Sequence, residues 1–130
     1  MRKSLVGSRG AVALATGVAA VVVAAGLVGT ASAHKPRISS HVTIHETFDT
    51  TTSELVYFGR VTSRKRACER GRQVTLHNSA GVVGVTRSNH RGHWEVREAS
   101  NTVGGYYVTV ARKATPRFIC RPTSRTLPDQ

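Results

Sequence analysis

Beyond residue 34, apolar and polar positions alternate through most of the chain, and the alternation predicts strands. From Arg37 to Phe48, Val42, Ile44 and Glu46 share one face and His41, Thr43 and His45 the other, the period of two that a half-buried strand requires. Leu55 to Val61 repeats it, with Leu55, Tyr57 and Val61 on one side, and Gly59 inside the run marks a bulge or a close backbone approach. Arg72 to His77 turns Val74 and Leu76 inward, Asn78-Ser79-Ala80-Gly81 carries hairpin turn chemistry, and Val82 to Thr86 follows. After a turn at Ser88–Gly92, His93 to Arg97 buries Trp94 and Val96. Past a loop from Glu98 to Gly105, Tyr106 to Ala111 buries Tyr106, Val108 and Val110. Phe118 to Thr126 supplies a seventh strand, confined by Pro122 to an edge or a bulge. Seven short strands with turns between, and no sustained helical period, predict an all-β fold, a seven-stranded β-sandwich.

The first 33 residues follow another pattern. Arg2, Lys3 and Arg9 precede an uncharged Ala/Val/Gly run, Ala11 to Gly29, and Ala31-Ser32-Ala33 follows, which is the layout of a secretory signal peptide cut after Ala33. The run is long enough to cross a bilayer, but it is only mildly apolar and the small-residue site follows at once, so no stable membrane span is expected after cleavage. No cysteine follows the run to take a lipid, and Leu127-Pro128-Asp129-Gln130 lacks the remainder of a wall-sorting signal. The expected product is one secreted, extracellular domain, residues 34–130. Within it, 34–54 form an N-terminal strand and polar connector and 55–130 the sandwich body.

That setting changes the reading of the cysteines. Cys68 and Cys120 are the only two, and an isolated pair in an exported protein predicts a disulfide. Closing a loop of about fifty residues stabilises a small core by roughly 4 kcal/mol in the chain-entropy model. Charge adds a second constraint. The formal charge is +12, and removing Arg2, Lys3 and Arg9 leaves 16 basic residues against 7 acidic ones, a formal +9. Charge of this size predicts attraction to polyanions and carries no information about the fold.

Several segments run in a familiar order: Phe58-Gly59-Arg60-Val61, Cys68-x-x-Gly71-Arg72-x-Val74-x-Leu76, Val83-Gly84-x-x-Thr86 continuing to Gly92-x-Trp94-x-Val96, and Gly105-Tyr106-Tyr107-x-x-Val110. Across about Leu55 to Cys120 the chain resembles the carboxypeptidase-regulatory-like domains, which are transthyretin-like (prealbumin-like), Ig-like β-sandwiches, and above all small secreted actinobacterial proteins that carry one such domain and a cysteine pair. The usual Thr-Asp before the turn glycine is Thr86-Arg87 here, which removes a carboxylate. The resemblance implies an accessory, non-catalytic module. One transthyretin-like branch hydrolyses 5-hydroxyisourate through a C-terminal Tyr-Arg-Gly-Ser, and this chain ends without that motif.

Candidate chemistry is sparse. Glu46, Asp49, Glu54, Glu69, Glu95, Glu98 and Asp129 are scattered, and no serine carries nucleophile-elbow glycines, so no enzyme activity is expected. His41 and His45 share a strand face but lie about 13 Å apart at strand rise, too far for one metal. His90 and His93 flank a turn. No cofactor and no metal site are expected. The best lead is basic: Arg64, Lys65, Arg66, Arg70 and Arg72 cluster around Cys68, while Arg117, Arg121 and Arg125 surround Cys120. The expected interaction surface is Arg64, Lys65, Arg66, Arg70, Arg72, Arg117 and Arg121. A Cys68–Cys120 bond would bring the two segments within about 7 Å at their Cα atoms and merge them into one patch.

The expected partner is an anionic cell-envelope polymer or an acidic protein surface. A sequence-specific nucleic-acid reader is not expected, because the only aromatic near these arginines is Phe118. Two alternatives stay open: a protease inhibitor presenting a basic residue of Arg64–Arg66, and a copper-binding protein using His34 as a mature N-terminus. The sequence sets no oligomeric state.

Overall fold

The structure, a computed structural model, describes residues 34–99 and 104–128. The expected signal segment 1–33 with its cleavage site, residues 100–103 of the expected Glu98–Gly105 loop, and residues 129–130 lie outside the described part. The described chain is all-β. Its strands are β1 (Arg37–Ile38), β2 (Ser40–Val42), β3 (His45–Asp49), β4 (Glu54–Ser63), β5 (Gln73–Asn78), β6 (Gly81–Arg87), β7 (His93–Glu98), β8 (Tyr107–Val110), β9 (Lys113–Ala114), β10 (Ile119–Cys120) and β11 (Thr123–Thr126). One turn of 3-10 helix, Arg66–Cys68, joins β4 to β5.

The longest strand, β4, organises the first sheet, pairing antiparallel with β2 and β3 along one edge and β7 along the other. The second sheet is antiparallel in the order β11-β8-β5-β6. Val42, Ile44, Tyr57, Val61, Trp94 and Val96 from the first face Val74, Leu76, Tyr106, Val108 and Val110 from the second across one core, so the two sheets form a sandwich-like pair. Every residue that the alternation turned inward in the strands from Arg72 onward is buried there.

Seven strands were expected from the sequence and eleven are found among the described residues: the first predicted strand is divided into β1, β2 and β3, the last into β10 and β11, and β9 was not predicted. The Arg37–Phe48 segment breaks at Ser39 and again at Thr43–Ile44. Val42 pairs Val61 and His45 pairs Phe58, so no register slip separates β2 from β3. Instead the Arg60 amide donates to the Thr43 hydroxyl at 2.9 Å, taking the place of a ladder bond. Gly59 is the cause of this close approach, since a Cβ there would overlap the Thr43 carbonyl oxygen. The Phe118–Thr126 segment breaks at Arg121–Pro122, where the missing N–H ends β10 before β11 begins.

β1 pairs parallel with β10, and β10 antiparallel with β9, giving a small third sheet. Ile38, Cys68 and Cys120 are buried beside it, with Phe118 packed against them. Cys68 and Cys120 are disulfide-bonded, their Cα atoms 5.4 Å apart across 52 positions of sequence. This second apolar cluster is where the candidate site is built.

Candidate functional site

The 3-10 turn and the residues after it form a loop whose backbone is almost wholly engaged from within. Five successive carbonyls accept from side chains: Ala67 from Lys113 Nζ (2.8 Å), Cys68 from Arg72 Nη1 (2.7 Å), Glu69 from Ser88 Oγ (2.7 Å), Arg70 from Lys113 Nζ (2.8 Å) and Gly71 from Arg87 Nη1 (3.2 Å). Gly71 N–H donates back to the Ser88 carbonyl, and Arg72 N–H to the Ser88 hydroxyl. A loop satisfied in this way has its backbone fixed before any ligand arrives, so ordering it costs a ligand little.

Arg72 is the principal clamp and the main correction to the sequence expectation. It was grouped with the exposed cations, but it is fully buried. Its guanidinium makes five hydrogen bonds: to Ser40 Oγ and Cys68 O from Nη1, to Ala111 O and Arg121 O from Nη2, and to Ala111 O from Nε. No carboxylate is among those partners. Four bonds to backbone carbonyls and one to the Ser40 hydroxyl satisfy its donors, which is how a buried guanidinium is tolerated without an ion pair. Burial lowers its pKa below the ordinary arginine range. The same effect acts on Lys113, whose pKa is lowered first by burial and then by the positive charges of Arg70, Arg72 and Arg87.

With the backbone turned inward, the loop's own charged side chains face water. Arg64, Lys65, Arg66 and Arg70 are exposed, and so are Arg117 and Arg121 on the other side of the disulfide. Three of them meet: Arg64, Lys65 and Arg117 line a cleft of about 490 Å³ whose remaining walls are Pro36, Ile38 and Phe118. A second cleft, about 530 Å³, lies against the same Arg64 and is lined by Arg37, Ser39, His41, Thr62 and Ser63. Arg66, Arg70 and Arg121 line neither cleft.

The electrostatics of this face are one-sided. Among the described residues the ion pairs are those of Arg97 with Glu95 (2.7 Å), Asp49 (3.1 Å) and Glu54 (3.3 Å). They lie on β3, β4 and β7, which also carry Glu46 and Glu98. Glu69, the one acidic residue in the basic loop, accepts from the Ser63 amide through Oε2 at 3.4 Å. The cations of the two clefts therefore face solvent without a carboxylate ion pair.

Two residues of this region escaped the sequence reading. Lys113 left no pattern to find, because β9 is only two residues long. Arg37 lies beside the clefts only because β1 pairs with β10. The inhibitor alternative meets an obstacle in the backbone. Lys65 itself is extended (φ −115°, ψ 120°), but its carbonyl already accepts the Cys68 N–H at 2.9 Å and the chain turns at once into the 3-10 helix.

The histidines are dispersed. His45 packs against Phe58, and His77 stacks on Tyr107 with Nε2 at 2.9 Å from Thr109 Oγ1. Among the described residues no three His, Cys, Asp or Glu side chains gather as a metal site. No described helix is long and apolar enough to cross a membrane. Comparison with protein-family models, curated proteins and solved structures gives no match. The functional reading therefore rests on this chain's own residues.

Proposed function

We propose that the protein is a secreted, non-catalytic β-sandwich module of the transthyretin-like kind that binds an anionic polymer outside the cell through its cationic face. The observation that carries the reading is the meeting of Arg64 and Lys65 with Arg117 in one cleft across the Cys68–Cys120 disulfide, with no carboxylate ion pair on that face among the described residues. A rigid loop supports it further, since cations displayed on a fixed backbone lose little freedom on binding. The formal +9 of the chain beyond residue 33 favours encounter with polyanions from a distance. An acidic protein surface is a partner of the same electrostatic kind, but two clefts with Arg64 in both linings suit a chain-like ligand better than a flat face.

The test is binding of the oxidised protein to inorganic polyphosphate over a salt titration. The reading expects log affinity to fall linearly with log salt, the signature of counterion release. Affinity that is absent at low salt contradicts it.

A further inference from the structure

We infer that the two clefts flanking Arg64 take consecutive units of an anionic glycan, one sugar ring lying against Phe118 with its acid group among Arg64, Lys65 and Arg117. This rests on the polyanion-binding reading above and narrows it to a ligand class.

Three features point to an acidic sugar rather than to anions in general. The first cleft is amphipathic: Pro36, Ile38 and Phe118 are apolar and Arg64, Lys65 and Arg117 are cationic. A bare phosphate chain would leave the apolar wall unused, whereas a pyranose has an apolar face, polar edges and, in a uronate, a carboxylate at one side. Its volume, about 490 Å³, lies within the range of small-molecule sites. The second cleft carries Ser39, Thr62 and Ser63 hydroxyls together with Arg37 and His41, a polar lining suited to sugar hydroxyls. Arg64 belongs to the lining of both clefts, so one guanidinium can serve anionic units held on either side of it. Occupation of both sides by one ligand takes a polymer of at least two units.

The same residues disfavour the other large anions. A single-stranded nucleic acid needs successive large aromatic surfaces, and these clefts offer Phe118 and the smaller His41 ring, one in each. A lipid surface needs apolar groups that project into it. Phe118 instead packs down on Ile38, Cys68 and Cys120. The large exposed apolar side chains, Phe48, Phe58, Val82, Val85 and Tyr107, belong to β3, β4, β6 and β8 and line neither cleft.

The experiment compares three probes on the oxidised secreted protein and on its Phe118→Leu variant: an oligogalacturonate, inorganic polyphosphate of matched charge, and phosphatidylglycerol vesicles. Leucine keeps apolar volume over the disulfide but removes the flat ring, and its thermal melt reports whether the fold survives. Stacking on a ring is insensitive to salt, so the oligogalacturonate should stay bound at a salt concentration that releases polyphosphate. Phe118→Leu should weaken the oligogalacturonate about tenfold and leave polyphosphate unchanged. Superimposable salt curves for the two soluble probes, or a Phe118→Leu variant that folds and binds both as before, would overturn the glycan inference and leave the polyanion reading standing. Vesicle binding that depends on Phe118 would overturn it in favour of lipid. Failure of every probe to bind at low salt would remove the polyanion reading itself.

Discussion

The carbonyl oxygen of Arg121 accepts a hydrogen bond of 2.8 Å from Nη2 of Arg72, a residue 49 positions earlier in the chain. Through Nη1 the same guanidinium holds the carbonyl of Cys68, so one side chain grips both arms of the disulfide from beneath. The cationic face is thus built in two layers. Arg72 and Lys113 are engaged inside on carbonyls, while Arg64, Lys65 and Arg117 stay exposed at the surface, where the proposed anion would meet them.

Arg72→Met is expected to destabilise the fold by about 3–5 kcal/mol, because it leaves the Cys68, Ala111 and Arg121 carbonyls and the Ser40 hydroxyl without their donor. Arg72→Lys should recover only part of the loss, since an ammonium has three donors and no planar fork. Chemical denaturation reads both variants. A Met variant as stable as the parent would show that the buried guanidinium is not a structural clamp.

Removing the disulfide by a paired Cys68→Ala and Cys120→Ala substitution should cost roughly 4 kcal/mol in the chain-entropy model. Binding per folded molecule should change little, because Arg72 still ties the loop to Ala111 and Arg121 and Lys113 still holds the Ala67 and Arg70 carbonyls. Denaturation and polyphosphate binding on the same sample separate the two effects. Lost affinity in a variant that keeps its native circular dichroism would assign the face to the covalent bond alone.

Gly59→Ala tests the close approach at the centre of the first sheet. A Cβ there meets the backbone carbonyl of Thr43, which has no room to yield without breaking the β2–β3 connection along β4. A loss of several kcal/mol, seen as a thermal melt lowered by well over ten degrees, is expected. Gly81→Ala is the comparison: it meets no atom within 4 Å, and its φ of 133° is the only strain. Equal melts for the two variants would contradict the contact.

Much of the fold was legible in the sequence, and the reason is local. Strand parity depends only on near neighbours, so Val74, Leu76, Trp94, Tyr106, Val108 and Val110 declared themselves. Parity also contained the signal for Arg72, which shares the face of Val74 and Leu76 and is two residues from the nearer of them. Its charge argued for water, and what overrode the charge was a set of carbonyls from Cys68, Ala111 and Arg121 that only the tertiary fold assembles. The disulfide was legible because only two cysteines exist. Arg37, Lys113 and the split strands were not, because short bridges and register are fixed by partners far away in the chain.

Alkaline pH should unfold the protein in a way its tyrosines report. Tyr57 stacks on Tyr106 with ring centroids 4.4 Å apart, and Tyr106 donates to Glu98 Oε2 at 2.7 Å. Burial pushes both phenols above the ordinary tyrosine range. An unfolded tyrosine ionises near pH 10, so the folded chain holds more protons above that point and loses stability as pH rises further. In a Tyr107→Phe background, phenolate absorbance should therefore grow only together with loss of circular dichroism. Ionisation near pH 10 with the dichroism unchanged would contradict this.

The central claim, that the cationic face beside Cys68–Cys120 binds anions, is tested most directly by two charge-matched double variants. Arg64→Glu with Arg117→Glu reverses the first cleft, while Arg91→Glu with Arg125→Glu makes the same change of net charge at residues that line neither cationic cleft. Polyphosphate affinity is measured for both across a salt titration. The predicted result is a large loss for the cleft pair, its log–log salt slope shallower by about two ionic contacts, and a small loss for the control pair. Equal losses in the two would mean that binding follows net charge and that the face has no special role.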